Sequence, residues 1–349
     1  MVTTLSRLND ERIRVAERLG TPDRVPFGAD ALGTFRCGLT DVSLKDYYTK
    51  PEVMFTVQER WRRLVYDFSP FVVDLGVAVE PTLLGAQVLW RDDEAPLPLP
   101  CMERIDDVDT LEVKEVGTAP LIRNAHDIYT YLAEKSGEPV SWHYVLGPVD
   151  IACLVRGIRE FMLELYTQPE PAKKLLDKAT QVCIDVVRHR LEVLDDVPRF
   201  MLADDYAGYL HPKLFETIYV PLAQEIYRVL PADVIRWFHS DGDHIGPSVH
   251  LIPTTGAQVF HSFTPKLDLA DVKRRVGDQL CLSGNIDTIE VLQYGTPYDV
   301  LNACRKAIEA AGQNGGYILS SGGELARGTP VENVHAMLLA AAEYGTEVK

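Results

Sequence analysis

Short apolar runs that end in turn residues alternate along this chain with longer stretches whose apolar positions recur at helical spacing. The clearest run is Val234-Ile-Arg-Trp-Phe-His-Ser-Asp-Gly-Asp-His244. Its β-branched pair and two aromatics predict a buried strand, and Ser-Asp-Gly-Asp predicts a turn at the end of it. Upstream, residues 4–19 predict a helix stopped by Thr21-Pro22-Asp23, then a first short strand over 24–28 and a loop over 30–40. Pro51 opens an amphipathic helix through Phe68, and 71–75 is a second strand with Asp74 at its end. Residues 83–116 are rich in proline and acid and predict an excursion with a hairpin around 86–90.

The alternation then repeats. A helix over 120–135 leads to a strand over 139–146, closed by Gly147-Pro148, and a long helix runs over 168–194. Strands over 199–203, 257–262, 279–283 and 316–320, a helix over 212–230 and a closing helix over 330–344 complete the count. About eight short strands separated by helical patterns are the arithmetic of a (β/α)8 TIM barrel. The expectation is one such domain over residues 1–349, with an N-terminal helical extension in 1–22 and the excursion 83–116 after the second strand. A doubly wound open sheet would carry a glycine-rich phosphate turn after an early strand, and neither G-x-G-x-x-G nor a Walker motif occurs.

Ring closure of the sheet changes the meaning of the strand ends, because their side chains then share one mouth. Asp74, His143, Asp204, Asp205, His239, Asp241, His261, Asn285 and Glu324 all fall there, with Tyr206 just beyond. Each has a plain structural alternative: a helix cap for the Asp204-Asp205 pair, core imidazoles for His143 and His261, a tight turn for Asn285 and Asp287. Gathered together, carboxylates and imidazoles serve proton transfer or metal ligation. A nucleophile elbow is missing, which leaves acyl transfer without support.

Charge narrows the partners. A formal net charge of −16 and a pI near 5.0 argue against nucleic acid, while they suit docking to a basic patch on another protein. No apolar run approaches the ~20 residues of a membrane span. The first residues lack the apolar stretch of a signal peptide, so the expected location is cytoplasmic. Six scattered cysteines without a Cys-x-x-Cys pair predict reduced thiols rather than a disulfide framework or zinc ribbon.

Several of these segments in combination resemble the uroporphyrinogen decarboxylase superfamily. They are Leu146-Gly-Pro148, Asp204-Asp-Tyr-Ala-Gly208, the run from Val234 to Asp243, Gly284-Asn-Ile-Asp287 with Gly295-Thr-Pro297, and Gly316 to Gly323 leading into Thr329-Pro-Val-Glu-Asn333. The resemblance implies a (β/α)8 barrel with its site at the carboxyl mouth, and two chemistries: decarboxylation of tetrapyrrole acetate arms, or methyl transfer to or from a corrinoid carried by a partner protein. The decarboxylases carry an R-Q-A-G-R segment after the first strand, whereas residues 28–38 here hold one arginine, Arg36, and an added acid. Thiol-methylating members hold zinc with His-x-Cys and a later Cys; here His239-Ser-Asp241 and Gly322-Gly323-Glu324 stand in those places.

An acceptor thiol needs a thiolate-activating metal, and an amine does not. The resemblance therefore implies a corrinoid-dependent methyltransferase whose small-molecule partner is not a thiol. The candidates are tetrahydrofolate and a methoxylated aromatic undergoing O-demethylation, of which the folate better suits a site without cysteine ligands. In that reading a corrinoid-binding protein presents the cobamide. His239, Asp241 and Asp205 are the catalytic candidates, with His239 and Asp241 exchanging the proton at the reacting nitrogen. Asp74, His143, Asp204 and Tyr206 are substrate-binding candidates, as are His261, Asn285 and Glu324. If zinc is bound, His239, Asp241 and Glu324 are the ligands expected, forming a harder site than thiolates would. Decarboxylation of an acidic tetrapyrrole or heterocycle is the alternative enzyme, and a barrel that only docks or stores a corrinoid protein is the non-catalytic one.

Overall fold

A computed structural model describes residues 4–65, 70–142, 144–194 and 196–346. In chain order its strands are β1 (Phe71–Val72), β2 (Gln87–Leu89), β3 (Leu97–Leu99), β4 (Val140–Ser141), β5 (Tyr144–Leu146), β6 (Arg199–Ala203), β7 (Ile235–His239), β8 (Val259–His261), β9 (Cys281–Ile286) and β10 (Tyr317–Ser321). Strands β5 to β10 pair in parallel, each with the next. Phe27 bridges Leu319 of β10 in parallel, and β1 pairs with β4 in parallel, β4 and β5 being two parts of one barrel stave. The fold is a TIM barrel, with helices between successive staves. The antiparallel pair β2–β3 is the expected hairpin of the excursion after the second stave.

Parallel strands covered on both sides are apolar throughout, and β10 is buried at every position. Because side chains alternate across a strand, Phe238, Phe260, Leu282 and Leu319 face the helices, where the main core lies. Ile235, Val259, Cys281 and Ile318 form a separate cluster inside the ring, completed by Ala16 and bordered by Trp237. The N-terminal helix Thr4–Glu17 therefore closes the amino end of the barrel. Glu17 fastens it, accepting from Arg199 Nε at 2.5 Å and from Trp237 Nε1 at 2.9 Å. Stacked above this floor on the same inner face are Trp237, then His239 and His261; the Trp237 and His261 rings lie 5.1 Å apart.

Two predicted elements come out differently. The segment 30–40, read as loop, contains the helix Gly33–Gly38, whose first amide donates to Asp74 Oδ2 at 2.9 Å. A tertiary acceptor supplies the cap that the local sequence lacks. The helix over 212–230 is broken by a π-helical turn at Phe215–Tyr219, which packs both aromatic rings against Phe238. No helix among the described residues is long and apolar enough to cross a membrane.

Candidate active site

Strand register builds the site. His239 and His261 are ladder partners at the carboxyl ends of β7 and β8, so their side chains rise at the same level on the inner face. Their Nδ1 atoms lie 3.1 Å apart. His239 Nε2 points the other way, 3.5 Å from Asp205 Oδ1. The same Asp205 oxygen accepts the Asp241 amide at 3.0 Å, tying the loop after β6 to the loop after β7. Gly242 permits that approach, since a Cβ there would sit 2.6 Å from the Asp205 carbonyl oxygen. Asp241 turns its carboxylate toward Gly323, where a Cβ would lie 3.4 Å from Oδ2.

The pit has one member that the reading by sequence missed. Asp30 is pinned to the end of β10 by its amide, which donates to Ser321 Oγ at 3.1 Å, and by its carbonyl, which accepts from Leu325 N at 2.8 Å. One ligand atom each from Asp30, His239 and His261 fall within 4.8 Å of one another. Among the described residues these three are the donors that converge, and of the expected set His239, Asp241 and Glu324 only His239 is among them. The signal was present as the added acid of segment 28–38. Segment 30–40 reads as loop, so its acid is not placed at a strand end.

Of the remaining candidates, several brace the pit instead of lining it. Asp204 is fully buried, and its two oxygens accept the Val149 and Asp150 amides, each at 3.0 Å, at the start of helix Pro148–Arg156. Gly147 makes room for it: a Cβ there would be 2.2 Å from Asp204 Oδ2. Asp74 is likewise buried, accepting from Gly33 N, Gly76 N and the Tyr47 hydroxyl. Asn285 donates to the Thr264 and Leu267 carbonyls at 3.2 and 3.1 Å and so holds the loop after β8. Tyr206 stays half-buried at the mouth, its amide fixed by Asp150 Oδ1 at 2.7 Å. His143 lies outside the described residues.

Crowded carboxyls set the protonation of the site. Burial, then the Asp205 charge, lifts Asp241 to about 6, with His239 opposing. Glu324 is pushed up to about 8, by burial first and then by the charges of Asp74 and Asp30. The Thr34 side chain and Phe35 amide oppose that rise, and Glu324 Oε1 is buried without a hydrogen-bond partner. Burial disfavours charge on His239, but Asp205, Asp30 and Asp241 outweigh it, and the imidazole pKa is raised. Asp204 rises to about 7 through burial, eased by a hydrogen bond from Asp150, whose own pKa stands well above the carboxylate range. The result is a pit of carboxyls and imidazoles in which protons are held near neutral pH, with no thiol among the converging groups.

A barrel with an acid–imidazole pit at its carboxyl mouth defines a class of TIM-barrel proteins whose site is assembled from strand ends. Within that class the chain belongs to the uroporphyrinogen decarboxylase (URO-D) family, whose model matches residues 8–344. It is 27% identical over 190 residues to a uroporphyrinogen decarboxylase of Coxiella burnetii, covering 52% of this chain and 49% of that protein. The match thus spans about half the length of the curated decarboxylase. A methylated-thiol–coenzyme M methyltransferase of Methanosarcina mazei is 23% identical over 273 residues, 76% of this chain and 70% of that one. The solved structure of a methyltransferase from Methanosarcina mazei superposes with a TM-score of 0.77 at 18% identity, covering 96% of this chain and 98% of the other, which agrees with the barrel.

Proposed function

We propose that this chain is a corrinoid-dependent methyltransferase that takes a methyl group from the oxygen of a methoxylated aromatic and passes it to a cobamide carried by a partner protein. The observation that carries the reading is Glu324. Held up to about 8, it keeps a proton at neutral pH beside a pit of hard donors. Methyl transfer from the ether to the partner's cobamide would break the methyl carbon–oxygen bond and leave a phenolate oxygen to be neutralised. Glu324 donates that proton, and His239, oriented by Asp205, positions the ether oxygen. Tetrahydrofolate as acceptor would make the opposite demand, since its nitrogen has to lose a proton, and a site stocked with protonated acid favours a donor whose departing atom takes one up, as an ether oxygen does.

Tetrapyrrole decarboxylation fits these residues poorly. Segment 28–38 holds a single arginine, Arg36, which is 6% exposed and sits in the field of Asp74. The pit itself carries Asp30, Asp205 and Asp241, which repel a polycarboxylate. Thiol methylation lacks its sulfur ligands, Asp241 and the segment Gly322-Gly323-Glu324 standing at those places.

The test is a reconstituted pair. Purified protein, a carrier protein loaded with reduced cobamide and a methoxylated phenol are expected to give the methyl-cobalt spectrum, with free phenol released in equal amount. Glu324→Gln should slow the transfer by about 10²- to 10⁴-fold, the range for losing a general acid. Transfer from methyltetrahydrofolate with every ether inert would move the donor class to the folate, and no turnover with any corrinoid would end the reading.

A further inference from the structure

We propose that Ser262 is a positioning residue that orients His239 through His261. Its hydroxyl stands where three staves end, and the local backbone is bent to put it there. Phe260 faces the helices and His261 faces the ring, so a regular strand would send the next side chain, Ser262, outward again. Instead Ser262 takes a left-handed backbone, φ 46°, which residues other than glycine rarely adopt. Phe263 then fills the outward place and stacks on Phe260, the ring centroids 4.5 Å apart. The Ser262 side chain is left fully buried on the pit side, next to the imidazole that precedes it.

Three groups meet that hydroxyl. His261 Nε2 lies 3.3 Å from Oγ, the Ser321 carbonyl at the end of β10 accepts from it at 3.3 Å, and it hydrogen-bonds the Asp30 carboxyl. A hydroxyl suits such a junction, since it donates one hydrogen, accepts on two lone pairs and rotates to choose. The Asp30 backbone hangs from the same strand end, its amide donating to Ser321 Oγ at 3.1 Å. On its other side the His261 ring is hydrogen-bonded to His239, Nδ1 to Nδ1, at 3.1 Å. An imidazole held at both nitrogens cannot turn without breaking one of the two bonds. Ser262 thus fixes the plane of His261, and His261 fixes that of His239, whose Nε2 lies 3.5 Å from Asp205 Oδ1. The value of this orientation for methyl transfer rests on the methyltransferase reading, whereas the orientation itself does not.

The experiment compares Ser262→Ala and Ser262→Gly with the parent full-length protein. Alanine removes the hydroxyl and keeps Cβ, and glycine in addition relaxes the left-handed backbone, so the pair separates the hydroxyl from the bend. Ring 15N shifts of the nine histidines are recorded, those of the pit being assigned with His239→Gln and His261→Gln. In both variants the His261 and His239 shifts are expected to move together. Those of His126 and His189, which pair at 2.8 Å between two outer helices, should stay. In the transfer assay kcat should fall by about 10- to 100-fold with KM for the ether within about twofold, because a misplaced group costs the transition state and not ground-state binding. Ser248→Ala removes another buried serine hydroxyl and should match the parent in shifts and rate. A serine that only supported the fold would lower the melting temperature of its variants without moving the His239 shifts or separating kcat from KM. Ser262→Ala decides alone if Ser262→Gly fails to fold. His239 shifts unchanged in the alanine variant, or a kcat equal to the parent's, overturns the proposal. A parent that transfers no methyl group with any corrinoid removes the methyltransferase reading, and the ring shifts then still decide the orientation.

Discussion

Single residues at this mouth divide by where their lone pairs are spent. Asp74 and Asp204 give theirs to backbone amides and hold the frame, while Glu324 keeps Oε1 buried and unpartnered and so carries its proton to an unusually high pH. The consequence for pH has a definite sign. A carboxyl whose folded pKa is raised binds more protons in the folded state than in the unfolded one, so stability falls as pH rises from its ordinary range toward its folded value. For Glu324 that window runs from the ordinary 4.5 to about 8. Glu324→Gln is therefore expected to melt like the parent at pH 4 and to be more stable at pH 9, by on the order of a few kcal/mol. The parent's transfer rate should fall as pH rises through about 8, and this limb should be missing from the variant's profile. An equal melting temperature for the two proteins at pH 9 would remove the buried proton. None of this division is legible in the sequence, because Asp204 and Asp205 are neighbours in the chain and only their partners distinguish a cap from a site residue.

Among the elements, the strands whose apolar runs are continuous were readable from pattern alone, and β6 falls on residues 199–203 as expected. Positions that depend on tertiary contact were not. Helix Gly33–Gly38 lacks a side-chain cap of its own and begins on Asp74, so its two glycines read as loop. Asp30, which precedes it, went unnoticed for the same reason. Helix Pro148–Arg156 also begins on a borrowed carboxylate, Asp204, which lies in the low-dielectric interior against Gly147. Asp204→Ala strips acceptors from two buried amides and should cost about 2–4 kcal/mol, readable as a lower urea midpoint with an unchanged slope. Gly242→Ala acts on a different link. Its new Cβ forces apart the loops that bring Asp205 to the Asp241 amide, so methyl transfer is expected to fall by at least about tenfold while the helices keep their circular dichroism. Retained activity in that variant would show that the Asp205–Asp241 tie is dispensable.

At the scale of the molecule, the two ends of the barrel do separate work. The carboxyl end collects groups whose charges conflict, with Asp30, Asp205 and Asp241 around two imidazoles, and such a site costs stability that the rest of the fold must supply. The amino end is where part of it comes from. Helix Thr4–Glu17 seals that end, burying Ala16 against the inner cluster, and Glu17, 3% exposed, receives hydrogen bonds from Arg199 and Trp237. A pattern of apolar positions announced this helix but not its task, since a plug and a surface helix show the same period and only the inner cluster tells them apart. Glu17→Ala takes from the Arg199 guanidinium its buried partner and leaves it the more exposed Asp10, and removing one member of a buried pair costs about 3–5 kcal/mol before discount for that remaining partner and for the part of Arg199 that solvent reaches. A loss of roughly 2–3 kcal/mol is the expected result, seen as a lower melting temperature. Trp237 stands between Glu17 and His261 on the inner face, so the variant also tests whether the floor communicates with the pit. Transfer rate and its pH profile measured well below the melting point should both be unchanged, and a shift in either would mean that the plug positions the imidazoles as well as closing the barrel.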